Sequence, residues 1–222
     1  MESNGNQSVE IRVIGFAGSL RPESATRAAV QYALHGAAEE GAKVSLMDLA
    51  AYNLPFLGRE WEEANVKAVR RFRADLRASD GILLGSPEIH GSVSGVLKNA
   101  LDLANSDEFE WKMVVLVGVA GGRMGATETL SHLRTIGSSL HAWVVPTQAS
   151  IGDSTEAFDS HGGPIDPEVG SRLKSVGRQV AHFARLHKCE NHMQLLKEGE
   201  VAPVSEAAGP GLSSISHSAA RG

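Results

Sequence analysis

The stretch of sequence that decides the fold is GILLGSPEIHGSVSGVLKNALDLA, residues 81–104. It opens with a continuous apolar run, which is typical of a strand covered on both faces of a sheet. Pro87 then interrupts the regular pattern, and Gly91 and Gly95 allow the backbone to approach another molecule closely. The end of the stretch has the apolar periodicity of an amphipathic helix. It therefore predicts one strand, one loop and one helix in succession.

The same succession recurs along the chain. Apolar runs predict strands at residues 11–17, 43–49, 81–86, 113–120 and 141–146. Helical periodicity predicts helices between the cap Ser24 and the stop signal Gly41, and at residues 60–78, 93–104, 126–139 and 167–186. Strands that alternate with helices form parallel sheets with right-handed crossovers. We therefore predict an α/β doubly wound domain with five parallel strands and helices on both faces.

Length and composition favour one domain and a tail. The chain has 222 residues, 42% of them hydrophobic, and we predict a single domain over residues 10–187 between disordered ends at residues 1–9 and 188–222. The net charge of −5 gives no overall field that attracts nucleic acid. The single cysteine, Cys189, excludes an internal disulfide framework. Because no signal sequence or long apolar span is evident, we expect a cytoplasmic protein with no membrane partner.

Ligands of doubly wound sheets bind beyond the carboxyl ends of the strands, so the loops there are the candidate site. The loop after the first strand, residues 18–27, offers hydroxyl groups and a charged fork from Ser19, Ser24, Thr26 and Arg21. The helix that begins near Ala25 points its amide groups at the same place, which suits a phosphate monoester. The alternative is that Ser24 only caps the helix and the other side chains are solvated.

Two further loops permit contact with a flat ligand. Glu88, Ile89 and His90 would line the approach to the loop after the third strand, although an ordinary loop before a helix remains the alternative. The loop after the fourth strand contains a charged residue among glycines: Gly121, Gly122, Arg123 and Gly125. Its glycines allow a ligand to pack on the main chain, and its arginine could bind a phosphate or an anionic ring.

Three motifs in this order carry a resemblance to a known family. They are GSLR-x-x-S after the first strand, SPE-x-H-GS-x-x-GVLKNALD after the third, and GG-x-x-G-A after the fourth. Over roughly residues 10–187 the chain resembles the NADPH-dependent FMN reductase family of flavodoxin-like proteins. The resemblance implies a sheet in the order 2-1-3-4-5, FMN as cofactor or substrate, NADPH or NADH as electron donor, and a homodimer or homotetramer.

The resemblance also implies which residues bind the cofactor. The FMN phosphate would be held by Ser19, Arg21, Ser24, Thr26 and the helix start at Ala25. The isoalloxazine ring would lie along Pro87, Glu88, Ile89, His90, Gly91 and Ser92, with Gly121, Gly122 and Arg123 at its other edge. Family members often have asparagine at the position of Thr26 and tyrosine at that of Ile89, and the second change removes aromatic stacking.

The implied activity is NAD(P)H-dependent reduction of an acceptor through FMN with ping-pong kinetics. The acceptor would be a quinone, an azo compound, a metal oxyanion or free flavin. Since the cofactor supplies the chemistry, we predict no catalytic side chain. His90 could donate a proton, but a packing role is favoured. His187, Cys189 and His192 lie where a polar tail begins, so we predict no metal site.

Two alternatives stay open from the sequence. A flavodoxin-like electron carrier or flavin-binding module would bind FMN without oxidising a nicotinamide, although carriers usually present strongly acidic faces and this chain has an arginine-rich helix. A phosphate-sugar or nucleotide binder would use the first loop but leave the second unexplained.

Overall fold

The computed structural model describes residues 9–59 and 61–188, with the side chains of all of these except residues 63–65. The disordered ends predicted at residues 1–9 and 188–222 fall outside this part of the chain, apart from Val9 and Lys188. Cys189 and His192 lie outside it as well. Within the described ranges, no helix is both long and apolar enough to cross a lipid bilayer.

Five strands and seven helices follow one another along the described chain. In order they are β1 (Arg12–Ala17), α1 (Ala25–Glu39), β2 (Lys43–Met47), α2 (Leu49–Tyr52), α3 (Glu63–Arg77), β3 (Gly81–Pro87), α4 (Gly95–Asp102), α5 (Ser106–Phe109), β4 (Met113–Val119), α6 (Thr127–Ser139), β5 (Trp143–Ile151) and α7 (Pro167–Lys188). The strands pair in parallel in the order β2-β1-β3-β4-β5. The predicted flavodoxin-like fold and its strand order are confirmed.

Helices cover both faces of the sheet. Helices α1 and α7 pack on one face, where Val30 and Val180 join a core that includes Val13, Leu83 and Val115. The opposite face is covered by α2, α3, α4 and α6, together with Phe109 of α5. The central strands β3 and β4 are buried along almost their whole length. This explains why their sequences are nearly continuous apolar runs.

Glycines bring α1 close to both the sheet and α7. A Cβ atom at Gly15 of β1 would lie 2.6 Å from a methyl group of Val30, and one at Gly85 of β3 would overlap the other methyl group. At the crossing of the two helices, a Cβ atom at Gly36 or Gly177 would overlap backbone atoms of the facing helix. Side chains at these positions would therefore force α1 away from its neighbours.

The fifth strand is longer than the sequence predicted. The expected strand ended at Pro146, because proline has no N–H to donate to a sheet ladder. In the structure Val144 pairs with Val114 and Gln148 pairs with Leu116, so β5 bulges around Pro146 and resumes pairing as far as Ile151. A bulge leaves the unpaired residues outside the ladder, which is how a proline can lie within a strand.

Three smaller differences concern the ends of elements and a short helix. The side chain of Asp48 accepts a hydrogen bond from the N–H of Ala50, which starts α2 and ends β2 at Met47 rather than at residue 49. The helix predicted from residue 60 begins at Glu63. The short helix α5 was not predicted, because four residues are too few to show a period.

Lys112, just before β4, closes the carboxyl end of α3. Its buried ammonium donates to the carbonyl oxygens of Leu76 at 2.6 Å, Ser79 at 2.5 Å and Arg77 at 3.0 Å. Burial lowers the pKa of Lys112 to about 8, so the group is mostly protonated at neutral pH. A cation at the negative end of the helix dipole therefore satisfies carbonyl groups that a helix leaves unpaired.

We expect Gly177→Ala to destabilise the protein by about 1–3 kcal/mol or more, because the new methyl group would overlap the backbone carbonyl of Ala33. Gly170→Ala, on the same helix, is the matched control. The nearest atom there is the hydroxyl oxygen of Tyr32 at 3.4 Å, and alanine favours helix over glycine by about 1 kcal/mol. Urea unfolding of both variants measures the difference. Equal stabilities would contradict a tight crossing of α1 and α7.

Candidate cofactor site

A cleft of about 1080 Å³ lies at the carboxyl ends of β1, β3 and β4. Its walls come from the loop after β1, the first turns of α1, the loop after β3, the start of α4, the end of β4 and the segment 154–162 after β5. In the sheet, β2 lies on one side of β1, and β3, β4 and β5 follow on the other side. The direction in which successive strands are added to the sheet therefore reverses at β1, beside this cleft. Such switch points are where open α/β sheets bind ligands.

The amino end of α1 forms the polar side of the cleft. The Ser24 hydroxyl oxygen accepts from the N–H of Arg27 at 3.3 Å, and the Ser19 hydroxyl oxygen accepts from the N–H of Arg21 at 3.3 Å. Each hydroxyl keeps its own hydrogen for an incoming acceptor. The guanidinium group of Arg27 pairs with Asp48 at 3.1 Å. Arg21 is exposed along the cleft, so its cation is available to an anion there.

The loop after β3 is a tight two-residue turn. The N–H of Ile89 donates to the carbonyl of Ser92 at 2.9 Å, and the N–H of Ser92 donates back to Ile89 at 3.1 Å. His90 and Gly91 between them have φ values of 51° and 71°, as a primed β-turn requires. The Ile89 side chain is 48% exposed. This arrangement presents an apolar surface and a flat edge of backbone beside the cleft.

Two of the carboxylates that line the cleft, those of Glu88 and Asp159, accept hydrogen bonds from backbone amides. The Glu88 carboxylate accepts from the N–H of Thr129, in the first turn of α6, at 3.1 Å. The Asp159 carboxylate accepts from the N–H groups of Gly163 and His161, both at 2.8 Å, and these bonds lower the pKa of Asp159. Because both negative groups are directed at N–H donors, they oppose a bound anion less than free carboxylates would.

The donor set of this cleft fits FMN. A phosphate needs hydroxyl, amide and guanidinium donors, which the loop after β1 and the start of α1 provide. A planar ring needs an apolar wall with open backbone, which Pro87 and Ile89 provide. A Cβ atom built on Gly121 would have no neighbour within 4 Å, so the opposite wall has room beside the main chain.

Comparisons with known proteins show the family of the chain. The family model of NADPH-dependent FMN reductases matches residues 11–156. The chain belongs to this family. A relative, the FMN-dependent NADPH-azoreductase of Staphylococcus aureus, is 37% identical over 172 residues, which cover 75% of this chain and 91% of the relative. The recognition made from the three loop motifs is thereby confirmed, and the protein is an oxidoreductase.

Solved structures agree on the fold of this reductase-family chain. FerB, a flavoenzyme NAD(P)H:(acceptor) oxidoreductase from Paracoccus denitrificans, superposes with a TM-score of 0.66 at 22% identity, covering 80% of this chain and 98% of FerB. An oxidoreductase from Corynebacterium diphtheriae superposes with a TM-score of 0.63 at 18% identity, covering 79% of this chain and 97% of that one. At these identities the likeness shows the flavodoxin-like fold alone.

The structure brings most of the predicted site residues of this reductase-family chain together. Nine of them line the cleft: Ser19, Arg21, Ser24, Ala25, Thr26, Pro87, Glu88, Ile89 and Gly121. The others lie outside its wall: His90, Gly91, Ser92, Gly122 and Arg123. The Arg123 side chain is 92% exposed, and its guanidinium lies 3.5 Å from the Asp153 carboxylate. Contact between a cofactor and any of these fourteen residues stays a prediction.

Sequence reasoning missed the segment after β5. Seven of its residues line the cleft: Ser154, Thr155, Phe158, Asp159, Ser160, His161 and Gly162. The predicted site included only the loops after the first, third and fourth strands, and the predicted fifth strand ended at Pro146, short of this segment. The sequence GDSTEAFDSHGG, residues 152–163, is rich in small and hydroxyl residues, and this signal could have found the segment once β5 was extended.

We expect Arg21→Gln to weaken FMN binding about tenfold, because it removes one charge-assisted hydrogen bond to a phosphate. Riboflavin, which lacks the phosphate, should bind the variant and the wild-type protein equally. Arg172→Gln on the exposed face of α7 makes the same charge change away from the cleft and should alter neither affinity. Quenching of flavin fluorescence measures each dissociation constant. An equal loss for both flavins would contradict a phosphate role for Arg21.

Proposed function

We propose that this chain holds FMN in the cleft at the carboxyl ends of β1, β3 and β4, takes electrons from NADPH and delivers them to a small flat acceptor such as an azo compound or a quinone. When bound, FMN supplies the chemistry, since it accepts a hydride and passes electrons on. The protein's own residues bind the cofactor, orient it towards the acceptor and shelter both from water. NADH is a possible second donor, and the cytoplasm is the proposed location.

One observation carries the proposal: two loops of different chemistry line a single cleft. Hydroxyl groups, Arg21 and the amino end of α1 form a polar end, where a phosphate group would bind. Pro87, Ile89 and Val96 form an apolar wall, where a ring would bind. A phosphate-sugar binder would need the first loop but would have no use for the second.

The apolar wall also supports the acceptor class. Ile89 is half-exposed, and Phe158 of the segment after β5 lines the same cleft from the side of α1. A flat acceptor could therefore be enclosed between apolar side chains beside the ring, which brings the two reactants together without a catalytic side chain. The carboxylates of Glu88 and Asp159 accept hydrogen bonds from backbone N–H groups, so the proposed division is orientation by the protein and electron transfer by the cofactor.

The segment 54–62 supports the proposal of a homodimer or homotetramer. Three large apolar side chains are exposed there: Phe56 at 76%, Leu57 at 58% and Trp61 at 69%. Large apolar side chains that are exposed so close together in the sequence are typical of protein interfaces.

Light scattering should find the wild-type protein as an oligomer, and the double substitution Phe56→Ser with Trp61→Ser should shift it to the monomer. Phe183→Ser on α7 is the control. A monomeric wild-type protein would contradict the proposal.

We expect an anaerobic titration of the FMN-reconstituted protein with NADPH to bleach the visible flavin band stoichiometrically. Adding an azo compound or a quinone to the reduced protein should then restore the band, because the electrons leave in a second, separate reaction. Bound flavin that NADPH leaves oxidised would contradict the reductase proposal and favour an electron carrier. The same NADPH titration of free FMN without the protein controls for a reaction in solution.

A further inference from the structure

Helix α6 holds the turn at residues 89–92 from outside the cleft. The link begins at Thr129, which is buried and lies in the first turn of α6. Its N–H donates to the Glu88 carboxylate at 3.1 Å, just before the turn, and its hydroxyl donates to the Ser92 carbonyl at 2.9 Å, at the end of the turn. One residue of α6 therefore fixes both ends of the turn.

The bond to Glu88 also completes α6. Residue Ala126 precedes the helix and has no side chain that could cap it. The Glu88 carboxylate reaches one of the first amides instead, and a negative group is stabilising at the positive end of a helix dipole. The cap thus comes from a loop that is distant in the sequence, so the placement of the turn and the integrity of α6 depend on each other.

The carbonyl of Ser92 receives two hydrogen bonds. The N–H of Ile89 donates to it at 2.9 Å within the turn, and the Thr129 hydroxyl donates from α6. The Ser92 hydroxyl adds a third link, since it lies 3.0 Å from Nδ1 of His132 on α6. These links hold a turn in which His90, a residue with a side chain, has a positive φ. Left-handed backbone at such a residue costs free energy and persists where its surroundings hold it.

We propose that Thr129 is a positioning residue of the reductase site. Its hydroxyl fixes the turn that carries Ile89 and so determines where the ring-binding wall lies, while the phosphate end of the cleft is built independently on α1. This inference rests on the proposed function only in so far as the position of the turn affects the rate of the reductase reaction. The effect on the turn itself can be measured without an electron donor.

The test uses Thr129→Val, which removes the hydroxyl and keeps the shape, and Thr129→Ser, which restores the hydroxyl. In the full chain, amide hydrogen exchange at Ile89 and Ser92 should become about tenfold faster in Thr129→Val, since one hydrogen bond of the clamp is lost. Riboflavin and FMN should each bind about tenfold more weakly, by the same factor, because the ring end has changed and the phosphate end has not. Thr129→Ser should restore all three values.

Thr135→Val is the matched control. Thr135 lies on the same helix, and its hydroxyl donates to the Ser131 carbonyl within α6 at 3.2 Å, so the same substitution there leaves the turn untouched. It should change neither the exchange at Ile89 and Ser92 nor either flavin affinity. If Thr129→Val does not fold, Thr129→Ala removes the same hydroxyl without adding a methyl group in its place.

Three results would overturn the proposal. They are unchanged exchange at Ile89 and Ser92 in Thr129→Val, a loss of FMN affinity without a loss of riboflavin affinity, and failure of Thr129→Ser to restore the wild-type values. These outcomes are separate from failure of the proposed function. If NADPH did not bleach the wild-type flavin, the reductase proposal would fail while exchange and riboflavin binding still reported on the turn.

Discussion

The close approach of α1 to the sheet is the constraint on which the rest of the structure depends. Val30 packs over Gly15 and Gly85, which occupy neighbouring strands and have no side chains to keep the helix away. On its other side, α1 meets α7 where Gly36 and Gly177 allow the backbones to touch. Because α1 is held from both sides, its amino end occupies a fixed place at the carboxyl ends of the strands.

The candidate site joins the two faces of the sheet at one edge. The polar end of the cleft is built on α1, which packs on one face, and the turn at residues 89–92 is linked to α6, which packs on the other. Gly18 lies between them, where its N–H donates to the carbonyl of Gly85 at 2.7 Å and a Cβ atom would lie 2.8 Å from Cβ of Leu97. Two rigid elements with independent supports thus form the two ends of the cleft.

Backbone amides determine the electrostatics of this edge as much as side-chain charges do. Glu88 and Asp159 both direct their carboxylates at N–H groups, and in doing so they fix α6 and the segment after β5. Arg27 is paired with Asp48, whereas Arg21 lies exposed along the cleft. An anion would therefore meet donors at α1, while the carboxylates of Glu88 and Asp159 are engaged by backbone amides.

The sequence by itself determined the order of strands and helices, the cap at Ser24 and two of the loops that line the cleft. These features are local, since apolar runs, capping residues and prolines act within a few positions of the chain. Its resemblance to the reductase family supplied the strand order and the cofactor. Only the tertiary structure decided that β5 continues past Pro146, that Arg123 faces solvent, that the segment 154–162 forms a wall, and that Thr129 clamps the turn at residues 89–92. Each of these features depends on contacts between residues far apart in the sequence. The apolar periodicity of one sequence indicates local secondary structure but does not indicate such contacts.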